Sequence, residues 1–123
     1  MIGYATIGVN DMEKAKSFYC DLFADQGAKV VIDAGRIAMI GTGPGTPMVA
    51  VCEPYNKEAP QPGNGTMLAF PTETKEAAAA LHAKALSLGA TDDGEPGQRV
   101  PDRFYGAYVR DPDGNKLCFF VFG

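Results

Sequence analysis

The side chains able to do chemistry in this sequence are few, and their scarcity excludes a good deal. Among 123 residues there is one histidine, His82. A single imidazole rules out sites that take two from one chain, such as an HExxH zinc centre or a two-histidine, one-carboxylate iron site. Three cysteines, Cys20, Cys52 and Cys118, stand without CxxC spacing, which fits reduced thiols rather than a disulfide frame. Cys52 and Cys118 would make a reactive pair or a soft-metal site if they met. Neither has a basic neighbour in sequence to lower a thiol pKa, so each reads first as a small buried hydrophobe. Tyr4 and Tyr108 bring phenols, which at an unperturbed pKa of about 10 are poor bases at neutral pH. Arg103, just ahead of Phe104-Tyr105-Gly106, is a rim cation able to close over an anionic ligand. The string Gly41-Thr42-Gly43-Pro44-Gly45 imitates a phosphate cradle, but Pro44 has no N–H and no helix follows.

A chain that repeats one pattern must position these groups. Met1 to Val9 reads as a strand. Helical spacing follows, with Ala15, Phe18, Tyr19 and Leu22 on one stripe, and Asn10-Asp11-Met12-Glu13 supplies a capping side chain with a glutamate three residues beyond Asn10. That helix is expected to stop near Gly27. Strand-like runs cover Ala28 to Asp33, Arg36 to Gly41 and Pro47 to Glu53. Prolines and glycines then crowd Pro54 to Gly65, a linker. The pattern restarts with a strand at Thr66 to Pro71, a cap at Thr72, and an alanine-rich helix at Glu73 to Leu88 with Ala77, Ala78, Leu81, Ala85 and Leu88 inward. Strands are expected near Thr91 to Gln98, Arg103 to Arg110 and Lys116 to Phe122. An offset of 62 residues lays Tyr4 on Thr66 and Asn10 on Thr72, so the chain reads as a βαβββ unit written twice. His82, one residue past the inward Leu81, is expected at the edge of its helix, partly packed or in solvent.

Asp111-Pro112-Asp113-Gly114-Asn115 is the sharpest local signal, a turn in which proline fixes φ and Gly114 takes the left-handed conformation. Pairing Asp111 with Asn115 sets Val109 opposite Leu117 and Ala107 opposite Phe119, apolar pairs suited to a helix-covered face. Tyr108, Cys118 and Phe120 then point the other way. Met48 and Cys52 share that outlook in the first half, and with Tyr4 these residues form an apolar and aromatic lining.

Hydrophobic residues at 46%, charged residues at 21% and a net charge of −4 describe an ordinary globular chain. They lack the basic footprint that nucleic acid or an anionic membrane needs as a partner. No apolar run approaches membrane-spanning length and no signal segment opens the chain, so a cytoplasmic protein is expected.

Ile7-Gly8-Val9-Asn10-Asp11-Met12-Glu13-Lys14-Ala15 with Phe18-Tyr19, together with the Asp111 to Asn115 turn, resembles the vicinal oxygen chelate superfamily of glyoxalase I, extradiol dioxygenases and bleomycin-resistance proteins. The resemblance covers the whole chain. It implies an α+β fold in which two βαβββ modules, about 1–54 and 66–123 around a linker at about 55–65, form a curled mixed sheet with helices on its convex face. It also implies a ligand site in the cup. The positions matching the family's metal ligands hold Tyr4, Ala50, Thr66 or Met67, and Cys118, with no carboxylate or imidazole among them. The expectation is therefore no metal and no cofactor, and a cup that binds a small, partly apolar molecule through Tyr4, Met48, Ala50, Cys52, Thr66, Arg103, Tyr108, Cys118 and Phe120. A metal-independent lyase or isomerase using Tyr4 or Tyr108, and a non-catalytic interaction protein, are the alternatives. A homodimer is expected, as is common in this family.

Overall fold

The structure is a computed structural model describing residues 1–123. It is an α+β protein whose chain divides into two compact units, Met1–Gln61 and Pro62–Gly123, each a β-strand, a helix and three further strands. In the first unit β1 (Tyr4–Gly8) leads into α1 (Met12–Leu22), then β2 (Lys29–Asp33), β3 (Ile37–Gly41) and β4 (Met48–Cys52). The second repeats the order with β5 (Leu68–Pro71), α2 (Lys75–Ser87), β6 (Thr91–Val100), β7 (Phe104–Arg110) and β8 (Lys116–Phe122). Each unit hydrogen-bonds its own four-stranded mixed sheet, β1-β4-β3-β2 and β5-β8-β7-β6. In both, the first strand runs parallel to the last, because the helix returns the chain to the same end of the sheet.

Alternation along the strands sorts each sheet into a helix-covered face and an open face. In the first unit Ile7, Val51, Ala38 and Ile40 meet Ala15, Phe18, Tyr19 and Leu22 of α1, and all are buried. In the second, Leu117, Phe119, Ala107 and Val109 are fully buried on the helix side. The register there agrees with the pairing expected from the turn: Tyr108 faces Cys118, Val109 faces Leu117 and Ala107 faces Phe119. Asp111 N–H donates to the Asn115 carbonyl at 2.8 Å, and Gly114 has φ 89°.

Several local expectations need correction. α1 ends at Leu22, and a 3₁₀ turn at Ala24–Gln26 precedes the left-handed Gly27. Its cap is Asp11, which accepts from Lys14 N–H at 3.1 Å, while Glu13 pairs with Lys16. The second cap is Thr74, accepting from Ala77 N–H at 3.0 Å, because the Thr72 hydroxyl is taken up by the carbonyls of Thr74 and Phe120. Asp11 and Thr74 are 63 residues apart, so the repeat is offset by 63 rather than 62, and Ala15 matches Ala78, both buried. The inward stripe of α2 is then Ala78, His82 and Ala85. His82 is 5% exposed, not a partly solvated edge residue. Leu81 sits half-buried beside it.

Candidate functional site

The open face of the first sheet carries Tyr4, Thr6 and Gly8 from β1, opposite Met48, Ala50 and Cys52 from β4. Tyr4 is half-exposed and Ala50 fully buried. A Cβ on Gly41 would lie 2.6 Å from Met48 Cγ, so the methionine lies across that glycine. Pro60, from the segment following β4, rests against Gly8, where a Cβ would come within 2.8 Å of it. Beside it runs an open groove of about 530 Å³ bordered by Asn10, Arg36, Glu53 and Lys57. Its charges are of both signs, and Arg36 is already engaged by the Glu53 carbonyl at 2.8 Å and the Tyr55 ring.

The open face of the second sheet is aromatic. Phe104 and Phe120 stack with centroids 5.4 Å apart and planes 9° from parallel, and Phe122 stands edge-on to both. Gly106, between them in sequence, has room for no side chain: its Cβ would lie 2.8 Å from Phe104 Cε1 and 3.2 Å from Tyr108 Oη. Tyr108 sits opposite Cys118, with the Arg99 guanidinium and the Lys116 ammonium each 5.3 Å from its ring centroid, positions suited to cation–π attraction. Burial pushes the Cys118 thiol up, partly offset by the Tyr108 hydroxyl and the nearby Arg99 and Lys116 charges. Burial likewise raises the Tyr108 phenol, with Cys118 adding to it. Both groups are therefore held in their neutral forms, which disfavours nucleophilic or basic use; Cys118 is fully buried beneath this face, while Tyr108 is half-buried on it.

Not every residue expected in the site is placed there. Thr66 precedes β5 and folds its side chain onto Gly63. The 63-residue offset makes Met67 the counterpart of Tyr4, and it alternates with Ala69, which faces Cys118. Arg103 lies exposed in the β6–β7 turn, where its main chain bonds Val100 and Gly123. The cations on the aromatic face are instead Arg99, near the end of the long β6, and Lys116 at the start of β8. Arg99 was missed because β6 read as a weak strand, interrupted by Gly94, Pro96 and Gly97, and its facing was unassigned; Phe104, Lys116 and Phe122 share the parity of Tyr108, Cys118 and Phe120 on β7 and β8, a signal the sequence did carry. His82 hydrogen-bonds Asp92 at 2.8 Å on the helix side of the sheet, away from the open face.

The residues present do not make a metal site of the family's kind. Tyr4, Ala50, Met67 and Cys118, the positions the resemblance implies, offer no carboxylate or imidazole, and nowhere do three of His, Cys, Asp and Glu come together as a ligand group. A hard divalent ion wants oxygen anions and zinc wants three or four good donors, so one raised thiol and neutral neighbours do not fit either.

Comparison with known proteins agrees with this architecture. A glyoxalase/bleomycin resistance protein from Albidiferax ferrireducens is 33% identical, with 98% of each chain covered and a TM-score of 0.86. A glyoxalase/bleomycin resistance protein/dioxygenase family enzyme from Burkholderia phytofirmans shares the fold at 23% identity and TM-score 0.80, covering 97% of this chain and 96% of that one. A lactoylglutathione lyase from Agrobacterium tumefaciens shares it at 21% identity and TM-score 0.71, covering 98% and 92%. No functionally curated protein matches the sequence. The sequence model of the Glyoxalase/Bleomycin resistance protein/Dioxygenase superfamily matches residues 1–119, and with the paired βαβββ units and their open faces this establishes that the chain belongs to that superfamily.

Proposed function

We propose that this protein binds a small, partly aromatic molecule without a metal ion, on the sheet face that α2 leaves open. The observation that carries the reading is the chemistry of that face. Phe104, Phe120 and Phe122 form an aromatic cluster of which Phe122 is 76% exposed, next to the neutral phenol of Tyr108 and thiol of Cys118. A sheet face turned to water normally alternates to polar residues, and an exposed aromatic cluster bordered by polar groups is the usual mark of a recognition surface. Tyr4, Met48, Ala50 and Cys52 give the first sheet an apolar open face of the same parity, and we assign them the same kind of role. Arg103 and Thr66 are the weakest members of the expected set, given their places in the fold.

A metal-independent lyase or isomerase with Tyr108 as base draws no support from a phenol raised above its ordinary value. The test is an amide NMR screen of EDTA-treated protein against a set of small aromatic compounds. Perturbations gathered on Tyr108, Cys118 and Phe120 are expected. No response to any compound, or responses confined to the helix-covered faces, would contradict the proposal.

A further inference from the structure

We infer that the ligand of the second sheet's open face is an anion, a planar aromatic molecule bearing a carboxylate or a comparable oxyanion that Arg99 recognises. This rests on the ligand-binding reading above and adds a charge to it. Three side chains converge over one pair of glycines. Gly97 and Gly106 face each other across β6 and β7. A Cβ on Gly97 would lie 2.8 Å from Arg99 Nη1, and one on Gly106 would meet both Phe104 Cε1 and Tyr108 Oη. A Cβ on Gly94 would likewise come within 2.8 Å of Tyr108 Cδ2. The absence of side chains at these positions lets the guanidinium, the phenol and the phenylalanine edge lie side by side.

The charges on that face are unequal. Lys116 is shared with Asp93 at 3.3 Å, and Asp93 also holds Arg110 at 3.0 Å. Asp92, on the helix side, is engaged by His82 and the Gly94 N–H. Arg99 is in no ion pair: Asp92 feels its charge, but the guanidinium itself donates to the Glu95 carbonyl and lies over the Tyr108 ring. An exposed guanidinium stacked on an aromatic ring keeps its fork of donors oriented, and that fork matches a planar oxyanion. The stacked Phe104 and Phe120, with Phe122 exposed beside them, offer an aromatic surface a short distance away across Gly106. A cationic ligand would meet Arg99 and Lys116 with like charge, and a neutral one would leave the guanidinium's charge unmatched.

The test uses three probes of one shape, naphthoate, naphthamide and naphthylmethylammonium, titrated into the full chain by calorimetry at low salt. Naphthoate should bind about tenfold more tightly than naphthamide, a ratio typical of one charge-assisted contact, and the ammonium more weakly than either. Arg99→Gln, at an exposed position and checked for an unchanged thermal melt, should bring naphthoate to within about threefold of naphthamide. Lys29→Gln, which removes the same charge from the edge of the first sheet, should keep the tenfold preference. If naphthoate and naphthamide bind alike to the unaltered protein, or if Arg99→Gln keeps the preference, the charge assignment is overturned while the broader binding proposal stands. Failure of all three probes to bind contradicts this inference, and the aromatic screen then decides the broader proposal by itself.

Discussion

Asp111 is 4% exposed, and its carboxylate accepts from Asp113 N–H and Asn115 N–H at 2.9 Å each and from Asn115 Nδ2 at 3.0 Å. Removing that acceptor strands three donors in a buried turn, so Asp111→Ala should lower unfolding stability by about 2–4 kcal/mol in urea melts. A loss no larger than that of an exposed alanine substitution would contradict this. The His82–Asp92 contact makes a second prediction. Its hydrogen bond, followed by the Gly94 N–H, holds the Asp92 carboxyl below its ordinary value of 3.8. The unfolded chain therefore binds this proton more readily. The stabilisation is present above the ordinary value and is lost as pH falls from there through the lower native value. Asp92→Asn should flatten the acid limb of a stability–pH curve, and an unchanged limb would contradict the assignment. At this scale the sequence was legible where geometry is dictated locally, as in the Asp111 turn. Arg99 escaped notice because its place depends on glycines across a strand pair, a relation that no sequence spacing displays.

The elements were legible wherever the apolar period was clean. The stripe of α1 is the one its spacing predicts. The stripe of α2 was read correctly at Ala78 and Ala85, but His82 was missed, because alanines fill every position from Ala77 to Ala80 and apolarity hardly distinguishes one face from another. The Thr74 cap and the buried His82 correct the phase. The consequence is measurable: Ala78 is fully buried and Ala80 exposed. Ala78→Leu should overpack the sheet contact and cost about 1–3 kcal/mol, with Ala80→Leu nearly neutral. Equal effects in thermal unfolding would mean the helix presents a different face. Ligand binding gives a matching contrast between elements. Cys118 lies in β8 opposite Tyr108, whereas Cys20 lies on α1, so Cys118→Ser should change naphthoate affinity more than Cys20→Ser does. Calorimetry returning equal effects would undo the facing assignment.

For the whole molecule, the doubled βαβββ order was readable from the return of the strand, cap and helix pattern, and the family model and related structures agree with it. No helix is long and apolar enough to cross a membrane. Strand β2 has one neighbour in its sheet and exposes Val30 and Ile32, an edge that a second copy would cover. We propose a homodimer on that ground; light scattering should report about twice the chain mass, and a monomer would contradict it. The central claim, that the open aromatic face binds its ligand without metal, has one direct test: calorimetric titration of naphthoate into EDTA-treated protein, repeated after adding Zn²⁺, Ni²⁺ or Mn²⁺. The account predicts binding in EDTA with an affinity that the metals leave unchanged. Binding that appears only once a metal is restored would contradict it.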